Sequence, residues 1–432
     1  MGRAASEDRV SRIGRPAWAW ALYDWANSVF AITVMSAFFP LMLKRFWSSG
    51  ADPTQSTFEL GVANAIGSVA IAVLSPVLGA FADLGGTKKR DLLMFAAMAI
   101  VATGALALVA RGEATFAIAL YVLATIGFSA SNLYYDALLV DVAPESRWHQ
   151  VSALGFGLGY LGGGLLFALN VAMTLWPQRF GFADATAAVR ASFGMVAVWW
   201  AVFSLPLLMR VHEPRRARSR SGAGEAITAS LRQLWATLHE LRRYRAVALF
   251  LLAYWLYIDG VGTIARMALD YGIAIGLDEG HLITALLVTQ FVGFPASIAY
   301  GRLGARLGAR RAIGAGIAVY AGVTVWSYFM ASAWEFYVLA VVVGLVQGGV
   351  QSLSRSLFAR MVPATKAAEF FGFYNMLGKF AAVIGPLLIG LVALWTGSSR
   401  IGVVSIVVMF VAGGLLLRIV DEDEAARVAR ER

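Results

Sequence analysis

The chain has 432 residues, of which 59% are apolar and only 14% charged, where an ordinary soluble domain carries about 45–50% and about 25%. With a mean hydropathy of +0.69 and charge-free runs such as Leu92 to Ala110, this balance excludes a disordered or ordinary water-soluble protein and makes the bilayer the main solvent. The net charge of +10 invites a nucleic-acid reading, which the placement of the basic residues removes.

Along the chain, residues 1–16 form a basic N-terminal tail. The apolar stretch after it resembles a signal sequence at first sight, but it contains Asp24 and Asn27 and runs too long, so it reads as a retained first helix. About 20 apolar residues cross about 30 Å of hydrocarbon. On that measure the sequence predicts twelve spans, at 17–42, 57–82, 92–110, 116–142, 150–174, 190–210, 246–275, 281–300, 312–331, 335–360, 369–396 and 401–419. The expected fold is all-α, with two six-helix bundles at 17–210 and 246–419, a linker at 211–245 and a tail at 420–432. In the linker, Ile227, Leu231, Leu234, Leu238 and Leu241 recur every three or four residues between Arg232, Gln233, His239, Glu240, Arg242 and Arg243. That pattern reads equally as an amphipathic helix on the inner membrane surface or as a solvated basic helix.

With the N-terminus inside, 27 of the 36 Lys and Arg residues fall in inside segments. Six fall outside (Lys44, Arg45, Arg111, Arg179, Arg190 and Arg400) and three lie within spans. This positive-inside bias puts both termini in the cytoplasm and leaves nucleic acid no role. No cysteine is present, and His149, His212, His239 and His281 fall in loops or near helix ends, so neither a metal nor a cofactor is expected. No nucleophile elbow, zinc-protease or phosphate-loop string occurs, and no catalytic residue is proposed.

The two halves repeat. Asn132, Asp136, Asp141 and Pro144 stand 219 residues before Gln351, Arg355, Arg360 and Pro363, and Gly159 the same distance before Gly378. Two related bundles with a site between them are a common transporter plan.

A charge at a span centre costs about 2.5–3.5 kcal/mol on insertion scales, so a group of them persists where it faces protein or a watery cavity. The group here is Asp24, Asp136, Asp141, Asp259, Arg266, Asp270, Arg355 and Lys379. Helical periodicity places Asp259, Thr263, Arg266 and Asp270 on one face of the seventh span, and Gln347, Gln351 and Arg355 on one stripe of the tenth. Arg266 and Asp270, four apart, read as a local pair. Asp136 and Arg355 each lie eight residues before a proline that ends their span. They should share one level and form an ion pair between the halves that closes the cytoplasmic side; permanent pairs fixing helix register are the alternative. Asp24 and Asp259 are the proton-coupling candidates. The candidate binding site comprises Tyr23, Asp24, Asn27, Asn132, Asp259, Gln347, Gln351, Asn375 and Lys379, in a cavity expected between spans one, four, seven, ten and eleven. The string Gly157-Leu-Gly-Tyr-Leu-Gly162 matches a dinucleotide motif but lies inside an apolar helix, so with Gly155 and Gly163 it reads as close helix packing.

The loop Gly79-Ala-Phe-Ala-Asp83-Leu-Gly-Gly86-Thr-Lys88-Lys89-Arg90 resembles the signature loop of the major facilitator superfamily, with Leu84 at a usually basic position. A second-half echo runs from Arg302 to Arg311, with Arg306 where the acid would fall. Three longer strings are similar to the vacuole-effluxer family within that superfamily: Trp20-Ala-Leu-Tyr23-Asp24-Trp25-Ala-Asn27-Ser28, Asp136-Ala-Leu-Leu-Val-Asp141, and Gly348 through Arg360 to Gly385-Pro386. The resemblance implies a two-bundle transporter fold and a permease of a bacterial branch, and it marks the same Asp24, Asp136, Arg355 and Lys379.

The expected function is secondary active transport by alternating access, coupled to protons, of a small polar or zwitterionic solute, with amino-acid or small-peptide export as the first guess. Proton-coupled drug or metabolite efflux is the alternative. A membrane lipid-modifying enzyme and a non-transporting sensor are readings of other classes. Partners are the solute, the proton and the bilayer; a monomer in the inner membrane of a bacterium is expected.

Overall fold

The computed structural model describes residues 13–48, 53–213, 245–274, 277–330 and 332–430. Among these the chain is helical throughout, without strands. The long helices are α1 (Arg15–Trp47), α2 (Pro53–Gly85), α3 (Lys88–Leu106), α4 (Ala114–Ala137), α5 (Trp148–Leu175) and α6 (Ala185–Arg210). The second half contains α7 (Arg245–Ala274), α8 (Glu279–Leu307), α9 (Ala309–Ser327), α10 (Ala333–Met361), α11 (Ala367–Thr396) and α12, in two stretches, Ser399–Val404 and Val407–Ile419. Ten of these are long and apolar enough to cross a membrane. The other two, α3 and α9, are 19 residues each and open on Lys88-Lys89-Arg90 and Arg310-Arg311. The linker helix expected within 211–245 falls on residues 214–244, outside the described set. The stretch expected as a tail at 420–432 contains a further helix, α13 (Glu422–Arg430), with Ala425 and Ala426 buried.

Local chemistry sets the ends and bends. Asp184 accepts a hydrogen bond from Ala187 N at 2.8 Å and starts α6, and Ser332 with Glu335 forms a capping box on α10. In α1 the stretch Phe30–Phe38 widens to π-helical geometry. Pro40 follows it and has no N–H to offer the carbonyl of Ser36, and the Ser36 hydroxyl bonds to Ala31 O at 2.9 Å.

The helices run alternately, so α1 begins and α12 finishes at one end, here the terminal end. Large apolar side chains such as Val101, Val198 and Leu415 stay half or more exposed on the outer faces, as expected of surfaces solvated by lipid. The bundles meet along two seams. In the first, Gly79 of α2 lies against the Ala368 carbonyl, and a Cβ at Gly372 of α11 would come within 2.6 Å of Ser75 O. In the second, α5 is wedged between α1 and α8: a Cβ at Gly162 would stand 2.8 Å from Trp25 O, and one at Gly157 3.2 Å from Phe294 O. Small residues let backbones approach this closely. The glycine-rich stretch of α5 is thus a packing face.

Candidate functional site

Between the bundles, toward the end opposite the termini, lies a cavity of about 280 Å³. Its polar lining comes from Ser28 and Ser36 of α1, Tyr160 of α5, Thr289 and Gln290 of α8, and Gln347 and Gln351 of α10. Ile264 and Ala268 of α7 supply apolar wall. The walls are therefore α1, α5, α7, α8 and α10, where α4 and α11 were expected in place of α5 and α8. The glycine face of α5 explains the exchange, because it brings α8 close enough for Gln290 to lie against Gly163 and Gly164. Among the described residues, no acid or base lines this cavity.

The charges sit beneath its floor, one turn below Gln351 and under Phe156. Arg355 of α10, 2% exposed, points across the interface. Its Nη1 lies 3.1 Å from Asp136 Oδ1 of α4 and 3.5 Å from Asp24 Oδ2 of α1. Its Nε donates to Ser152 Oγ at 2.8 Å, and its Nη2 to Ser152 O at 2.9 Å. The same Asp24 Oδ2 also accepts from Tyr135 OH at 2.8 Å, and the other Asp136 oxygen, Oδ2, accepts from Asn375 Nδ2 at 3.2 Å. Trp20, Tyr135 and Phe156 surround the guanidinium, 4.8, 5.1 and 4.4 Å from their ring centres, a cation–π arrangement of about 0.5–2 kcal/mol per good contact. Trp20 stacks on Tyr135 at 4.2 Å and its Nε1 donates to Tyr135 O. A Cβ at Gly155 would lie 2.7 Å from both Asp24 Oδ2 and the Tyr135 hydroxyl, so glycine is what leaves room for the cluster.

Asp136 and Arg355 thus meet across the halves, at the level counted back from Pro144 and Pro363, and Asp24 and Asn375 join them. Asn27 donates to Asn132 Oδ1 at 2.6 Å within the first bundle. Tyr23 is buried beside Tyr135, with ring centres 5.2 Å apart. Gln347 and Gln351 face the cavity, and Lys379 lies half-buried on α11, one turn beyond Asn375. Asp259 is fully buried elsewhere in the second bundle: its carboxylate accepts from Gly385 N at 2.9 Å and Thr263 Oγ1 at 3.2 Å, next to Pro386 of α11. The side chains of Arg266 and Asp270 lie outside the described set. Residues that the sequence reading passed over are Tyr135, Ser152, Phe156, Tyr160, Thr289 and Gln290. Ser152 carried a usable signal as a polar residue opening a glycine-rich helix; the rings carried none, since aromatic side chains are common in every span.

The terminal end is closed by a second layer of polar contacts. Asp83 Oδ2 of the signature loop accepts from Glu369 N, in the first turn of α11, at 2.8 Å. Lys88 Nζ lies 3.7 Å from Asp83 and 3.1 Å from Asp141. Glu213 accepts from the backbone N–H groups of Lys88 and Lys89, and Lys89 Nζ donates to Val211 O. Gly86 turns the loop at φ +58°, a conformation suited to glycine. Arg90 pairs with its neighbour Asp91 at 3.1 Å.

The family described as Vacuole effluxer Atg22 like matches residues 58–430. The chain belongs to that family. It is 41% identical over 416 residues to the MFS-type transporter YxiO of Bacillus subtilis (strain 168), covering 96% of each chain. It is 26% identical over 315 residues to Autophagy-related protein 22 of Yarrowia lipolytica, covering 65% of this chain and 51% of the fungal protein, so the match spans about half the fungal relative's length. Among solved structures, the proton:xylose symporter XylE superposes with a TM-score of 0.73 at 13% identity, covering 95% of this chain and 96% of that one. This effluxer-family chain is a multi-pass membrane transporter of the major facilitator type, a class whose members bind small molecules and are not generally enzymes.

Proposed function

We propose that the protein is a twelve-span secondary transporter, both termini cytoplasmic, that carries a small polar or zwitterionic solute by alternating access. The observation that carries this reading is one guanidinium of the second bundle held by two carboxylates of the first, directly beneath a cavity that lies toward the opposite end. In this arrangement the terminal, cytoplasmic end is the closed one. Rocking the bundles apart at that end withdraws Arg355 from Asp24 and Asp136, and each acid then needs another cation. A proton on Asp24, or the amine of a zwitterion, supplies it, while Arg355 becomes free for a carboxylate. Amino acids and small peptides carry both groups, and the cavity, at the small end of ligand sites, suits them. Export across the inner membrane of a bacterium is the direction this reading favours. A second reading, a neutral hydroxyl-rich solute, is favoured by the uncharged Ser, Thr, Gln and Tyr lining.

The test is a charge exchange in proteoliposomes. Removing one partner of a buried ion pair costs about 3–5 kcal/mol, so Arg355→Glu and Asp136→Arg should each abolish counterflow of labelled amino acids. The double variant should recover a tenth or more of the wild-type rate. No recovery in a folded double variant removes the gate, and wild-type exchange of labelled polyols without exchange of any amino acid turns the choice to the second reading.

A further inference from the structure

A groove of about 650 Å³ runs between α9 and α12 on the outer surface of the second bundle, far from the inter-bundle cavity. At its terminal end stand Arg310, Arg311 and Arg418; above them Gly314, Ala318, Ala321 and Gly414 keep it open. Val411 and Leu415 on its rim are half exposed. Arg310 donates one Nη1 bond to Val420 O, while Arg311 and Arg418, both exposed, have no ion-pair partner among the described residues. The acids nearby in sequence, Asp421 to Glu424, start α13, which packs against α10 and α7; Asp421 is occupied in capping that helix, accepting from Asp423 N and Glu424 N.

We propose that this groove is a binding site for an anionic phospholipid. A basic cluster at one end of an apolar, membrane-facing slot matches both parts of such a molecule: the phosphate on the arginines and an acyl chain along the small residues. A zwitterionic lipid satisfies the slot but leaves the three guanidinium charges uncompensated. The two bundles differ here for a physical reason. Lys88 of α3 is engaged by Asp83 and Asp141, whereas Arg310, 222 residues later (310 − 88), has Ala305 in place of Asp83 (83 + 222 = 305) and, at the 219-residue offset of the tenth span, Arg360 in place of Asp141 (141 + 219 = 360). The second-bundle cation is left facing the groove.

The full chain, delipidated in neutral detergent, is titrated with dioleoylphosphatidylglycerol or dioleoylphosphatidylcholine, and retained lipid is counted by native mass spectrometry. Each surface arginine contributes about fivefold to anionic-lipid binding. Wild type should therefore prefer the anionic lipid by at least tenfold, and Arg311→Gln with Arg418→Gln should reduce that preference to below about threefold, while the paired Lys variants keep it. Gly314→Leu fills the slot; a Cβ there meets nothing within 4 Å, so the fold tolerates it, and retention of both lipids should fall. Equal retention of the two lipids by wild type, unchanged preference in the Gln pair, unchanged retention in Gly314→Leu, or equal thermal stabilisation by inorganic phosphate would each overturn the proposal.

Discussion

The two seams that close the terminal end are built from equivalent parts and held by different forces. Aligning Gly79 with Gly301 and Gly86 with Gly308 gives one offset (301 − 79 = 308 − 86 = 222), which corrects the expected match: Ala305, not its neighbour Arg306, falls opposite Asp83. Along the first seam a carboxylate crosses between bundles to the first turn of α11 and is itself held by Lys88. In the second, α8 meets α5 through backbone and small residues: a Cβ at Gly301 would come 2.5 Å from Ala153 Cβ and 3.2 Å from His149 O. Two of the neighbouring polar contacts are uncharged, His149 with Ser356 at 2.8 Å and Ser152 donating to Ser352 O at 2.7 Å; the charges beside this seam are Arg355, which also donates to Ser152, and the partly exposed Glu145–Arg360 pair. A seam held by charge and helix dipole can be released by water and ions. One held by shape separates only as a body, which suits a pivot.

The sharpest way to break this comparison is to spoil the shape. Gly301→Leu pushes a side chain into a backbone carbonyl and a methyl that cannot both retreat, and overpacking costs about 1–3 kcal/mol. The closed terminal end should lose population by roughly thirtyfold. Because the chain contains no cysteine, a single cysteine placed at Ala367 reports opening without background; a labelling rate that stays at the wild-type value would show that the second seam yields as readily as the first. Next in size is Asp83→Asn. It removes a charged cap and its dipole interaction, together about 1–2 kcal/mol, so the same labelling should rise roughly tenfold, and should rise further at high salt in wild type but not in the variant. A variant indistinguishable from wild type would place the restraint elsewhere.

How much of this could be read in the sequence follows from the kind of information each feature needs. Depth along a helix is one-dimensional, so counting from Pro144 and Pro363 put Asp136 level with Arg355, and they meet. Burial cost flagged Asp24, but nothing in the chain said that it shares the same guanidinium, because lateral placement depends on how far α1 and α4 rotate about their axes. The same gap explains Asp259: its helix face was legible, yet it faces Gly385-Pro386 inside α11. The change of cavity wall from α4 and α11 to α5 and α8 has its cause in the α5 glycines, whose close packing the sequence announced without naming the partner. The helical end at Glu422–Arg430 is only nine residues, too short for periodicity to mark, and it is fixed by tertiary contacts.

Those contacts give the smallest expected effect, and it bears on the same comparison. Glu145, in the turn between α4 and α5, accepts from Arg360 Nε at 3.3 Å and from Arg430 Nη2 at 2.6 Å. It is thus the acid that ties the second seam's Arg360, the counterpart of Asp141, and α13 to the first bundle. All three side chains are partly or largely exposed, and exposed ion pairs hold little. Glu145→Gln should therefore raise labelling at the terminal end only about twofold, and the rise should vanish in high salt, where the wild-type pair is screened as well. An effect as large as that of Asp83→Asn would mean that the second seam, too, is closed by charge, with Glu145 as its acid supplied from the opposite bundle.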